Sequence, residues 1–373
     1  MANDLLRATP IELYPLALTA INAGTMLQAW PVAIPSATAV AFNRVHDVTA
    51  SVCLLLLLLA LLRSVQLGCK RLLVKIAGHF GHYSTGGMAL FGVANWSRMR
   101  GAPTVGLLLW SLALAIMLSL QVWCLWVFCR KLSPKGTRRE ALRTLLVPAS
   151  VIPYVGIAAA TCTGGMQPFP PAARGFFLYG PLALTAGWGL LLVPPLWIAG
   201  VSKGCSKPPA ASHAILMAPA AIVLFGWLIA IGDAQAKYPA IGGALAVLSL
   251  VGMSIVTPSL PRILLRRPFA AAIASCGFPA EIAAMALVRY YAAACPAGEQ
   301  PASGVCSLLF GLAWAQLVVA SLVVIIVAVR FVGAAAATVR RVACPPPNAL
   351  ESLPPAIFES FAPDCHDENG EIL

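Results

Sequence analysis

The chain has 373 residues, 60% of them hydrophobic and 10% charged, with 25 Lys and Arg against 13 Asp and Glu and a formal net charge of +12. Ordinary soluble domains carry about 25% charged residues, so too few charges are present to cover a water-facing surface, and a soluble globular protein is excluded. Lipid must solvate most of the chain, and at about 20 residues per spanning helix plus its loop no separate catalytic domain fits beside the spans.

Residues 1–10 carry Asp4 and lack a short apolar core before a small-residue cleavage site, so no secretory signal peptide is expected. They read as a short cytoplasmic N-terminus. Apolar runs ended by charge or by Gly/Pro clusters then predict an all-α polytopic protein of the cell membrane. Its ten transmembrane helices fall near 11–33, 48–68, 80–99, 104–129, 145–165, 175–200, 214–233, 240–260, 268–291 and 304–332, within a membrane domain of residues 11–333. With both termini cytoplasmic, 19 of the 25 Lys and Arg fall on the inner side; the 6 outside are Arg44, Arg98, Arg100, Arg174, Lys237 and Arg289. The positive charge thus orients the helices, and no nucleic-acid partner is required. The third span opens with Gly78-His79-Phe80-Gly81-His82-Tyr83 and contains Gly86-Gly87, a polarity that suits only a helix buried among others.

Residues 334–373 change character. Cys344-Pro345-Pro346-Pro347 leads into a stretch holding Glu351, Glu359, Asp364, Asp367, Glu368 and Glu371, expected to be a disordered cytoplasmic tail. Docking on the basic cytoplasmic loops and a plain solvated tail are both open. The eleven cysteines show no metal spacing, and no cofactor is expected. Cys295 and Cys306 share the predicted external loop before the last span and form a disulfide if that side is oxidising.

Helix breakers recur in the odd-numbered spans: Pro15, Gly86-Gly87, Pro148 with Pro153, Pro219, and Pro279. From Pro15 through Gly86, Pro153 and Pro219 to Pro279 the spacings are 71, 67, 66 and 60 residues, about one helical hairpin each. A proline inside a helix leaves a carbonyl without its bond, which membranes tolerate only under cover of protein or a water-filled cavity. The pattern predicts two layers, broken helices lining the centre and intact ones facing lipid, with Gly87, Pro153, Gly156, Pro219 and Pro279 as lining candidates. The competing reading is that proline is simply common in transmembrane helices.

Val147-Pro148-Ala149-Ser150-Val151-Ile152-Pro153-Tyr154-Val155-Gly156 resembles the Pro-Ala-Trp-x-x-Pro-x-Val-Gly segment of the tellurite-resistance/dicarboxylate transporter family, which includes the slow anion channels of plant guard cells. Arg267-Pro268-Phe269, Cys276-Gly277-Phe278-Pro279-Ala280 and Ala286-Leu287-Val288-Arg289-Tyr290-Tyr291 resemble its Thr-Phe-Pro stretch and the tyrosine-containing helix end that follows. Met217-Ala218-Pro219-Ala220-Ala221 and Met88-Ala89-Leu90 are similar to two further segments, in the family's order and spacing. The resemblance implies five helical hairpins around a central pore, commonly in a homotrimer. It also implies transport of chloride, nitrate, sulfite or dicarboxylates such as malate, with a phenylalanine of the ninth helix occluding the pore. Phe278 is the matching position.

Counted from Arg267, Phe278 lies eleven residues into its span, roughly 16 Å at about 1.5 Å per residue and half of a roughly 30 Å hydrocarbon core. Pro279 kinks the backbone beside it, and a bulky apolar ring in a narrow pore excludes water and ions. An ordinary packing aromatic is the competing reading. Glu281 departs from the family, which has a small or hydroxyl residue there. Three outcomes stand: a protonated, neutral carboxyl; a group coupling proton movement to transport, as in a proton-coupled dicarboxylate transporter; or a pore that does not select anions. A structural hydrogen bond is the alternative. Arg289 returns to nearly the same face near the external end, where it attracts anions to the outer mouth or snorkels at the interface.

His79 and His82 sit together with no second histidine pair to complete a haem site, which argues against a membrane redox enzyme. An enzyme acting on lipid or quinone needs clustered polar groups, whereas Glu12, Asp47, Asp233 and Glu281 are scattered. The expectation is transport of a small anion by a protein whose other partner is membrane lipid, and not catalysis. A passive scaffold or receptor leaves the alternation of broken helices unexplained.

Overall fold

The computed structural model describes residues 13–28, 36–131, 151–164, 169–204, 211–231, 237–265, 271–295 and 304–343, and every regular element among them is helical. In chain order they are α1 (Leu13–Gln28), α2 (Ser36–Gly78), α3 (Phe80–Met99), α4 (Pro103–Lys131), α5 (Ile152–Val155), α6 (Ala158–Gly164) and α7 (Pro171–Gly204). A 3-10 segment, Ala211–Met217, leads into α8 (Ala218–Ala230). After α9 (Pro239–Val256) come the short turns Thr257–Ser259 and Leu260–Leu264. A second 3-10 segment, Ala271–Cys276, leads into α10 (Gly277–Ala294), and α11 (Gly304–Ala343) follows. Pro148, the Arg267-Pro268-Phe269 part of the resemblance and residues 344–373 lie outside the described residues.

Two glycines punctuate the first half. Gly68 interrupts α2 with φ 70° and ψ 158°, a backbone that residues with a Cβ rarely adopt. Beyond it, Leu72, Ile76 and Ala77 pack on a small buried cluster while Arg71 and Lys75 share the same short piece of helix. Gly101, at φ 81°, ends α3 and lets the chain re-enter helix at once through Pro103, a residue whose missing N–H costs nothing at a helix start. Beside this turn Asp47 Oδ1 accepts from Trp96 Nε1 at 2.9 Å and from Arg100 Nε at 2.6 Å, joining α2 to α3.

The long helices α2, α4, α7, α9 and α11 are apolar nearly all round, and helical spacing decides which residues face inward. In α2, Cys53, Leu56, Ala60 and Ser64 are buried, while Leu54, Leu55, Leu58, Leu61 and Leu62 are exposed. In α11, Ala313, Gln316, Leu317, Ala320, Val323 and Val327 form the buried stripe, with Leu322, Ile325 and Val329 outside. An apolar outer face this extensive is the surface of a helix solvated by lipid.

The other helices close a ring. α1 contacts α3; α3 contacts α5 and α6; α6 contacts α8; α8 contacts α10; and α10 returns to α1. Outside them, α2 packs on α1, α4 on α3, α7 on α6, α9 on α8 and α11 on α10. The layering shows in burial: 78% of the window His213–Ala230, which holds α8, is buried, against 22% to 35% in the other five apolar windows.

The expectation of ten membrane-crossing helices in five hairpins around a central pore is corrected. Among the described residues six helical stretches are long and apolar enough to cross a membrane: Thr38–Gly68, Pro103–Val127, Ala172–Ile198, His213–Ala230, Pro239–Leu264 and Gly304–Ala337. The predicted first, third, fifth and ninth spans do not qualify. α1 has 16 residues, about 24 Å of helix against a core of about 30 Å. α3 is long enough but carries His82, Ser84, Thr85, Asn95, Ser97 and Arg98. The fifth is broken into helices of 4 and 7 residues. α10 carries Glu281 and Arg289 in 18 residues. Each is shielded by neighbours, so none needs the length or uniform apolarity that contact with lipid demands. The chain is an all-α, multi-pass membrane protein with several apolar spanning helices.

Candidate functional site

Three prolines singled out from the odd-numbered spans stand at helix beginnings, where a missing N–H is harmless, whereas Pro181, Pro194 and Pro195 lie inside α7. Pro153 lies in the first turn of α5, Pro219 in that of α8 after its 3-10 segment, and Pro279 in that of α10 after Cys276. The sequence places these residues in or near the middle of spans; the structure starts α-helix at each of them, inside the bundle.

A helix that ends or changes pitch inside the protein, or that takes in a proline, leaves carbonyls to satisfy, and neighbouring helices supply the donors. At the α5/α6 break Gln121 Nε2 of α4 donates to Pro153 O at 2.8 Å and approaches Tyr154 O at 3.4 Å, while Thr185 Oγ1 of α7, which donates to Pro181 O of its own helix at 2.9 Å, also lies 3.4 Å from Val155 O. Before α8, Trp197 Nε1 donates to Leu216 O at 3.1 Å. Around the start of α10, Thr19 Oγ1 donates to Ala274 O at 3.2 Å and Gln316 Nε2 to Ala280 O at 3.4 Å. Gln121, Thr185 and Gln316 are buried, and Trp110 Nε1 likewise donates to Ala160 O at 3.2 Å. These donors keep irregular backbone tolerable at membrane depth.

The inner segments enclose a cavity. Its wall takes Pro15 and Leu18 from α1, Thr85 and Met88 from α3, and Ile152, Val155 and Gly156 from the α5 region. Ala218, Pro219 and Ile222 of α8 and Ser275, Phe278 and Pro279 around the start of α10 complete it. All five inner segments contribute. Thr85 and Ser275 are the only polar side chains among the lining residues, and none is charged. The cavity holds about 30 Å³, room for one or two waters and too little for a hydrated ion.

Of the residues singled out from sequence, Phe278, Pro279, Pro219 and Gly156 meet on this wall. Gly156 is there for space: a Cβ on it would lie 2.7 Å from Met88 Sδ and 2.7 Å from Ile152 O. Pro153 and Gly87 are not lining residues; Pro153 is buried beside the wall, and a Cβ on Gly87 would come 2.8 Å from Met117 Sδ on α4. Arg289 is exposed, near the far end of α10. Cys295 and Cys306 form a disulfide linking the end of α10 to the start of α11, with S–S 2.04 Å and Cα–Cα 6.0 Å.

Glu281 is fully buried, its side chain off the cavity wall, and neither carboxyl oxygen has a hydrogen-bond partner among the described residues. The structural hydrogen bond that sequence leaves open for Glu281 is not made there. His79 and His82 pack ring to ring, 5.5 Å between centroids. Among the described residues no three of His, Cys, Asp and Glu gather in a metal-holding group.

Sequence reasoning missed the donors. Gln121, Gln316 and Thr185 are lone polar residues in otherwise apolar helices, and that isolation was the available signal. It missed Met88 and Ser275 as wall residues because neither type stands out in a membrane helix. No family model matches the chain, and no curated protein matches it.

Proposed function

We propose that this protein carries small anions, of the class of chloride, nitrate, sulfite or a dicarboxylate such as malate, across the membrane along the cavity inside the ring, with Phe278 as the occluding side chain. The observation that carries the reading is the wall itself: five inner segments, three of them entering α-helix at a break or after a 3-10 segment, supply one apolar cavity with Phe278 upon it and no charged residue among its lining. A packing core alone would not require α8 and α10 to begin as α-helix inside the bundle after 3-10 segments. Selection then follows from the width of the path rather than from a fixed cation.

The resemblance noted in the sequence supports the same reading and implies a homotrimer with one path per subunit. A catalytic role has less support, because the cavity wall offers Thr85 and Ser275 alone as polar side chains.

The test is flux of chloride, nitrate, sulfite and malate into vesicles reconstituted with the native chain and with Phe278→Ala. Removing the ring is expected to raise flux about tenfold, equivalent to a barrier lower by about 1.4 kcal/mol. Unchanged flux in a variant that remains folded removes Phe278 from the occluding role.

A further inference from the structure

We infer that Glu281 is a proton-binding site that controls the path, which conducts while the carboxyl carries its proton and closes when the proton leaves. The inference rests on the transport reading above and adds its regulation. Glu281 belongs to the turn of α10 that follows Phe278, three residues on, about 4.5 Å along the axis and with Cβ atoms about 5 to 6 Å apart. Its side chain is fully buried, and both oxygens lack partners among the described residues.

Among the described residues the surroundings offer no compensating charge. On α10 itself Arg289 is eight residues away and exposed. α8 and α9 contain no titratable side chain. α1 contributes Tyr14, whose hydroxyl contacts Ser64, and the 3-10 segment before α8 contributes His213. The segment before α10 contributes the thiol of Cys276. α11 brings Cys306, held in the disulfide, and Arg330, whose guanidinium donates to Leu264 O, fourteen residues beyond the Gln316 that touches Ala280. An ionised carboxylate buried without a cation or a donor is strongly disfavoured, whereas a protonated carboxyl is neutral and tolerable.

The chemistry is a proton exchange with the aqueous phase: an O–H bond forms on the carboxylate as a hydronium ion gives up a proton and becomes water, and it breaks as water takes the proton and becomes hydronium. Loss of the proton has two effects on the path. A negative charge one turn from Phe278 repels an anion in the cavity through a medium of low dielectric. The unpaired charge must also be hydrated or paired, which displaces the first turns of α10 on which Phe278 and Pro279 stand.

The experiment has an arm that does not depend on transport. Infrared spectra of the native protein in membranes at neutral pH should show the carbonyl stretch of a protonated carboxyl, shifting in deuterated water and absent from Glu281→Gln. No such band in the native protein overturns the proposal whether or not the variant folds. In the flux arm, measured with equal pH on both sides, native flux falls about tenfold per pH unit above the point where Glu281 ionises, the slope of a single proton. Glu281→Gln, which copies the neutral form, holds its flux within about twofold across the same range. A variant profile that follows the native one overturns the switch. A carboxyl band with no flux of any of the four anions at any pH overturns the transport reading instead.

Discussion

The inner ring and the outer helices of this molecule obey different rules although both are apolar. An outer helix such as α2 meets lipid along one face and protein along the other, so length and hydrophobicity are demanded of it and its inward stripe is narrow: Cys53, Leu56, Ala60, Ser64. An inner helix such as α10 meets protein on nearly every side, from Gly277 through Val288, with Phe278 alone half-buried in that run. It is free to be short and to begin irregularly, and to hold a carboxylate. The outer layer makes that freedom possible by lending hydrogen-bond donors to the irregular backbone, so the two layers are coupled through a few named side chains. Substitutions that cut the coupling should cost far more than those on the lipid face of the same helices.

The largest effect is expected at Trp110 of α4. It is 1% exposed, packs against Phe91, Phe169 and Phe177 with ring centroids 4.8 to 5.7 Å away, and donates to Ala160 O on α6. Trp110→Ala removes both a large buried volume and a donor, and should destabilise by about 3 to 5 kcal/mol. Thermal unfolding in detergent, read by tryptophan fluorescence and by loss of monodispersity, measures it.

The disulfide comes next. Cys295 and Cys306 are separated by 11 residues, and closing a loop of that size contributes about 2 to 3 kcal/mol in the chain-entropy account. Cys295→Ser should lower the stability by that amount, seen as a lower unfolding midpoint, and a reducing agent should shift the native protein alike while leaving the variant unmoved. Gln121→Leu belongs beside it. The side chain keeps its bulk but the donor to Pro153 O is lost, leaving a buried carbonyl unsatisfied at about 1 to 3 kcal/mol.

Much of this was legible in the residues, for reasons that can be named. The outer helices announce themselves because lipid requires long apolar runs, and five of the six stretches that qualify fall at the even-numbered spans predicted from sequence. The first, third, fifth and ninth were over-read, while the seventh qualifies at His213–Ala230. α1, α3 and α10 have enough apolar residues to resemble spans in a window, but burial inside the bundle relaxes the requirements that the window assumes. The prolines were legible as breaks, and the positions of four site residues on one wall followed from that. The donors were not, because a lone glutamine in an apolar helix gives no hint of which distant carbonyl it serves. Gln121 and Pro153 are 32 residues apart, and Gln316 and Ala280 are 36 apart; only packing brings them together.

The smallest effect is the one that isolates the layers. Leu56 and Leu58 lie two residues apart on α2, the first 6% exposed and packed in the core, the second 52% exposed on the outer face. In water the exposed leucine of such a pair would be the odd one; in lipid both are at home, and they differ only in what remains when they are truncated. Leu56→Ala leaves a hole among fixed neighbours and should cost about 2 to 4 kcal/mol. Leu58→Ala is refilled by a lipid chain or a detergent tail and should stay within about 0.5 kcal/mol. The same unfolding measurement on both variants tests the comparison directly. A cost at Leu58 matching that at Leu56 means that a protein surface, such as a neighbouring subunit, covers that face of α2 in place of lipid.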